Sequence, residues 1–159
     1  MADGADRAYV AGLTLLARRE LAEAQLRLRL ARRKFESNDI EAAVARLREE
    51  RALDDRRTAL ACARTEVRIR RRGRARVVRQ IEALGIARDI ARDAVAEVFA
   101  DIDETELLQQ ALDRCVRHGM DLGDPAVFRR VHRRLLMQGF DAERVMTLLR
   151  SRAKKRESL

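Results

Sequence analysis

The chain has 159 residues, 35 Lys and Arg against 26 Asp and Glu, a formal net charge of +9, a single proline and 3% aromatic residues. Abundant Ala, Leu and Arg, with no alternating β-branched run, exclude a sheet and predict an all-α fold. The charge excess points to an anionic partner, nucleic acid or an acidic protein face; a membrane is disfavoured because no long apolar run or Trp-bearing amphipathic stretch is present.

In chain order, MADGADRAYV lacks the basic start and apolar core of a signal peptide, so a cytoplasmic protein is expected. A first helix over 8–18 would place Tyr9, Leu13 and Leu16 on one face. A second, over about 22–34, turns Leu26 and Leu30 inward. Ser37 or Asn38 is the expected cap of a third helix carrying Ile40, Val44 and Leu47 and ending near Arg51. Asp54 caps a fourth helix, 55–72, whose inner face is Ala59, Cys62, Ala63 and Val67; Gly73 ends it. Helix five (74–84) buries Val77, Ile81 and Leu84, and helix six (88–99) buries Ala91, Val95 and Val98. From Asp103, the stripe Leu107, Leu108, Ala111, Leu112, Cys115 and Val116 makes a seventh, amphipathic helix stopped by Gly119. Asp124-Pro125 starts an eighth with Phe128, Val131 and Leu135 inward. A ninth (142–152) buries Val145, Leu148 and Leu149, and SRAKKRESL is expected to be a disordered charged tail beyond its first residues.

One pattern recurs three times: an apolar residue, a stop four positions on, and an apolar anchor directly after the stop. The copies are Leu30-Lys34-Phe35, Ile81-Gly85-Ile86 and Leu135-Gly139-Phe140, with anchors 51 and 54 residues apart and an apolar residue nine after each, at Val44, Val95 and Leu149. A near-fixed period with matched offsets signals a tandem repeat. It divides the chain into three-helix modules over 6–52, 53–100 and 101–152, with a charged tail over 153–159. Gly85 and Gly139 are expected in the left-handed C-cap conformation. Cys62 and Cys115, 53 residues apart, are expected buried and unpaired.

Catalysis has little to stand on. His118 and His132 lie on different helices among arginines, and Cys115 and Asp121 at three-residue spacing from His118 complete no four-ligand set. Asp54-Asp55 and Asp101/Asp103 are better explained as helix starts. No Gly-rich phosphate loop is present. Neither an enzyme nor a cofactor or metal site is expected.

The basic side chains are concentrated instead. Arg64, Arg68, Arg70, Arg71, Arg72, Arg74, Arg76 and Arg79 face Glu66 alone; Arg129, Arg130, Arg133 and Arg134 form a second group, and Arg27, Arg29, Arg32 and Arg33 a third. Such groups hold phosphates or carboxylates without reading base sequence. No aromatics interleave them, so base stacking is not indicated.

These residues resemble the RecX family, bacterial modulators of the RecA recombinase, over roughly 9–152. LLARRELAEAQLRLRLARRKF is similar to the family's opening. LDDRRTALACARTEVRIRRRGRARVVRQIEALGI carries its Leu-Asp-Asp helix start and Gly-Ile stop, and LLMQGFDAERV is similar to its closing Gly-Phe motif. Departures are Ala22 where Ser is usual, Lys34 for Gly, Arg74 for Pro and Thr58 for Phe. The resemblance implies three-helix modules in an elongated, curved array, acting as a monomer. It implies binding to the RecA–DNA filament, inhibition of RecA's ATPase, strand-exchange and coprotease activities, and weaker direct binding to single-stranded DNA. The alternatives left open are a nonspecific DNA- or RNA-binding helical protein acting without RecA, and a helix-turn-helix regulator, for which base-reading Asn or Gln is sparse.

Overall fold

The computed structural model describes residues 3–116 and 120–157. Among them are nine helices and no strand: α1 (Gly4–Leu16), α2 (Glu23–Arg32), α3 (Ser37–Glu49), α4 (Asp55–Arg68), α5 (Arg74–Glu82), α6 (Arg88–Phe99), α7 (Glu104–Cys115), α8 (Pro125–Met137) and α9 (Ala142–Glu157). The chain divides into two compact units, one of residues 1–62 and 80–94, the other of 63–79 and 95–159. The dividing positions fall inside α4, α5 and α6.

Short acidic side chains start four helices by accepting backbone N–H groups that the helix itself cannot satisfy. Asp54 accepts from Arg57 N–H, Asp103 from Thr105 and Glu106, Asp124 from Ala126, and Asp141 from Arg144. Pro125 occupies the first position of α8, where its missing N–H costs nothing. Neither Ser37 nor Asn38 caps α3. Both lie inside the helix, and Glu36 stands at the cap with no side-chain bond. The helix simply begins one residue earlier than the polar side chains suggested.

The start of α2 shows a substitute for a missing cap. Ala22 stands at the N-cap, has no acceptor, and is fully buried. The Gln25 side chain reaches back to Ala22 N–H at 3.1 Å, while Asp55, from the start of α4, accepts Glu23 N–H at 2.8 Å. Burial pushes the Asp55 carboxyl above its ordinary range; the bond from Glu23 pulls in the opposite direction.

The three stops of the recurring pattern share one conformation. Lys34, Gly85 and Gly139 all take positive φ, at 63°, 85° and 92°. The anchor after two of them closes an identical bond, Phe35 N–H to Leu30 and Phe140 N–H to Leu135, the long-range half of a Schellman motif. Lys34 therefore ends α2 in the conformation that glycine adopts in the other two copies. Arg71, also left-handed at 54°, stops α4 well before Gly73, so α4 ends at Arg68 rather than at 72.

In the first unit α1 packs through a face one position from the expected one. Ala8, Gly12 and Leu15 are buried, whereas Leu13 is exposed and Tyr9 and Leu16 only half-buried. A Cβ on Gly12 would stand 2.7 Å from the Leu47 Cδ1 methyl, so a larger residue there would push Leu47 aside. The periodicity assigned the inner face to the bulkiest side chains, one position out of phase. Leu15, Leu21, Leu26, Leu30, Ile40, Val44, Leu47 and Leu53 form this unit's core. Thr58 is buried there with its hydroxyl near the Asp54 and Leu21 carbonyls, at 3.1 and 3.3 Å.

In the second unit Leu108, Ala111, Leu112, Cys115, Leu122, Val131, Leu135, Val145 and Leu149 form the core. Gly119, the expected stop of α7, lies outside the described residues, as does His118. α9 does not stop at 152 but continues to Glu157. Ser151–Glu157 contains no Gly or Pro, Ala153 packs on the core, and Arg152 pairs with Asp113 at 2.8 Å, so nothing ends the helix where low hydrophobicity alone predicted disorder. Neither cysteine is in a disulfide. Cys115 is buried, which pushes its thiol pKa up, but Cys62 is only half-buried because the inner face of α4 runs through Ala59, Ala63 and Val67.

Glu66 is the one buried carboxylate of the basic stretch. Its side chain is bound by Arg72 and, at 3.5 Å, by Arg70. A buried carboxylate stripped of its partner is costly. Arg72→Ala should therefore lower unfolding free energy by roughly 1–3 kcal/mol in urea titrations, whereas Arg70→Ala, at an exposed pair, should cost about 0.5 kcal/mol or less. Lys34→Gly should raise stability by about 0.5–1 kcal/mol, because it relieves a Cβ in the left-handed region. Gly139→Ala should lower it by about 2 kcal/mol or more, since the added Cβ meets both that penalty and the Arg76 backbone.

Candidate nucleic-acid interface

In the second unit, α5 and the end of α8 approach through glycine. Gly73 N–H donates to the Gln138 carbonyl at 2.9 Å and Ala75 N–H to the Gly139 carbonyl at 3.3 Å. A Cβ on Gly73 would lie 2.5 Å from the Gly139 carbonyl, and one on Gly139 would lie 2.9 Å from Arg76 Cα while striking its nitrogen. Two backbones this close leave no room for side chains between them. The contact carries the arginines of the α4–α5 stretch up to those of α8.

The result is a concavity of about 590 Å³ lined by Ile69, Arg70, Arg72, Arg76, Arg114, Arg130, Arg133, Arg134, Met137 and Gln138. Seven of the ten lining residues are arginine and none is acidic. Glu66 balances Arg70 and Arg72 from below. Among the described residues, no carboxylate pairs with Arg76, Arg130, Arg133 or Arg134. Arg114 donates to the Ile69 carbonyl at 3.0 Å, fixing the end of α4 against α7, and the Gln138 amide reaches Cys115 Sγ at 3.9 Å. Guanidinium forks gathered without counter-charge suit phosphate or carboxylate oxygens.

The other singled-out arginines lie elsewhere. Arg68 and Arg71 line a smaller recess of about 190 Å³ that Asp101, Asp103 and Glu106 also line. Arg74 is held by Glu104, at 2.7 and 2.9 Å, and lies over the Phe99 ring at 4.7 Å. It rims a recess of about 240 Å³ with Phe99, Leu107, Leu108, Phe140 and Arg144. Arg79 and Arg129 are exposed on α5 and α8, outside these three recesses. In the first unit, Arg27 is paired with Glu41 at 2.9 Å and Glu23 at 3.1 Å, and its hydrogen bond holds the Glu41 carboxyl below the usual range.

Arg114 was missed from the sequence. It stands beside the apolar stripe of α7, outside the three arginine groups, and only its position in space joins it to the others. Ile69 and Met137 were missed for a related reason, since nothing local marks them as exposed. His132 is half-buried on α8, and among the described residues no group of three or more His, Cys, Asp or Glu could hold a metal ion. Among them, too, no helix is long and apolar enough to cross a membrane.

Comparison with known proteins bears on this geometry. Residues 8–47 match the family model described as RecX, first three-helix domain. The chain is 26% identical over 148 residues to the regulatory protein RecX of Geobacillus kaustophilus, covering 93% of this chain and 55% of that protein, so it spans about half that relative's length. A crystal structure of RecX from Lactobacillus salivarius superposes with a TM-score of 0.79 at 17% identity, covering 97% of this chain and 99% of that one. A second crystal structure, of a regulatory protein RecX, gives 0.82 at 19% identity over 94% of this chain and 72% of that one. These two likenesses show a common all-helical fold. The regulatory protein RecX of Syntrophotalea carbinolica is 33% identical over 137 residues, which cover 84% of this chain and 88% of that protein. A chain that shares this fold and this much sequence over nearly the whole of such a relative belongs to the RecX family of regulatory proteins.

Proposed function

We propose that the chain binds the RecA–DNA filament and inhibits RecA's ATPase, strand-exchange and coprotease activities, acting as a cytoplasmic monomer without cofactor or catalytic step. Family membership supports the regulatory half of this reading. The observation that carries the binding half is the arginine concavity, with four arginines that no described carboxylate neutralises and that sit within one reach of an anionic strand. Arg76, Arg130, Arg133 and Arg134 would meet phosphates of the filament's DNA, with Arg70, Arg72 and Arg114 holding the concavity's shape. Arg68, Arg71, Arg74, Arg79 and Arg129 remain candidates for contacts outside it, with the protein or the DNA. The three-helix modules over 6–52, 53–100 and 101–152 would offer repeated contacts along a filament, where linked sites act as one multivalent ligand. A ligand that favours one state of the filament opposes the cycle driven by ATP hydrolysis, because it must be displaced before the next state forms.

A second reading, a nucleic-acid binder acting without RecA, is favoured by the same concavity taken alone. The two separate in one experiment. The intact chain should inhibit RecA ATPase on single-stranded DNA at well below one molecule per RecA. The triple variant Arg76→Ala, Arg130→Ala, Arg133→Ala should keep its thermal midpoint, inhibit less, and show a shallower salt dependence on naked DNA, by up to about 0.7 of a log–log unit for each phosphate no longer neutralised. DNA binding with no effect on RecA would favour the second reading, and an unchanged salt slope would remove the concavity from either.

A further inference from the structure

A track for phosphates alone would be polar along its length, and this concavity is not. Ile69 is 66% exposed and Met137 is 62% exposed; both are conspicuous large apolar side chains in the described structure, and both line this one recess. Met137 continues a row on α8. Arg133 and Arg134 lie one turn after Arg130 on that helix, and Met137 one turn after both, each turn's step about 5–6 Å between Cβ atoms. A bound strand following the row would pass from guanidinium groups onto a thioether.

The chemistry of that pair favours a flat ring over an aliphatic partner. A methionine sulfur makes favourable contacts with aromatic rings, and a guanidinium stacks on their faces. Duplex DNA turns its phosphates outward and hides its base faces in the stack, so it could use the arginines but not Ile69 and Met137. An unstacked strand offers both. We propose that the concavity is a seat for single-stranded nucleic acid, in which Arg130 and Arg133 hold neighbouring phosphates and one unstacked base lies on Ile69 and Met137. This rests on the nucleic-acid side of the function proposed above and adds that the site discriminates strand from duplex by an apolar contact rather than by charge.

The test uses the full chain and naked oligonucleotides, by fluorescence anisotropy at fixed salt. The probes are a thymidine strand, an abasic strand of equal length and a duplex of equal phosphate number. The wild-type chain should bind the thymidine strand about fivefold more tightly than the abasic strand, the lower end of what a stacked base contributes because the platform is not aromatic. It should also prefer that strand to the duplex. The double variant Ile69→Ser, Met137→Gln replaces only exposed side chains and should bring the thymidine and abasic strands to equal affinity. Equal wild-type affinity for the two strands would overturn the proposal and leave a site for phosphate only. A double variant that keeps the strand preference but loses inhibition of RecA would also overturn it, placing the apolar pair against protein. Inhibition of RecA by a wild-type chain that binds no naked DNA would overturn it while leaving the proposed function standing.

Discussion

Everything in the second unit's basic surface depends on one backbone-to-backbone contact. Gly73 and Gly139 approach so closely that each segment's carbonyl and N–H groups serve the other's, through the bonds from Gly73 to Gln138 and from Ala75 to Gly139. Glycine at both positions is a steric requirement, and at Gly139 a conformational one as well. A stop that ends α8 therefore also docks the start of α5. Arg76 and Arg130–Arg134, more than fifty residues apart in the chain, become neighbours only because these two helix ends share that space.

Bringing so many guanidinium groups together opposes folding, since like charges repel and the desolvated members lose hydration. The molecule offsets this locally. Glu66 is buried beneath Arg70 and Arg72, and Glu104 holds Arg74, which is also stacked on Phe99. Arg68 and Arg71 share a recess with Asp101, Asp103 and Glu106. Within the concavity, the exposed arginines of α8 and the half-buried Arg76 have no described carboxylate partner; there solvent screens repulsion but a polyanion would still gain by displacing counterions. Division of labour among the arginines thus follows from which of them the fold can neutralise.

The ends of the helices show how far the sequence could be read. Asp54, Asp103 and Asp124 cap the helices that their short acidic side chains announce, and Gly85 and Gly139 take the left-handed conformation that the stop pattern demands. Lys34 adopts it too, although its type gives no sign; the apolar anchor Phe35 after it, set by the repeat, carries the information. Failures came where a neighbour supplied what the local sequence lacked. Ala22 cannot cap α2, and Asp55 does so from another helix. The buried face of α1 runs through Ala8, Gly12 and Leu15, and at Gly12 the Leu47 methyl occupies the space a side chain would take.

The sequence by itself determined that the chain is helical, where most helices begin and end, that a stop recurs with a period near fifty, and that positive charge collects in particular stretches. Those properties are local: they depend on side-chain volume, short-range capping and backbone preference within a few residues. Only the tertiary structure decided which arginines form a common surface. It joined Arg70, Arg72 and Arg76 to Arg114 and to Arg130, Arg133 and Arg134, set Arg68, Arg71 and Arg74 in recesses shared with acids, and left Ile69 and Met137 exposed among the first set. The physical reason is that charge and apolar count add along a chain, whereas a binding surface depends on distances between segments. Here those distances are set by a glycine-to-glycine approach that no residue's own character reveals.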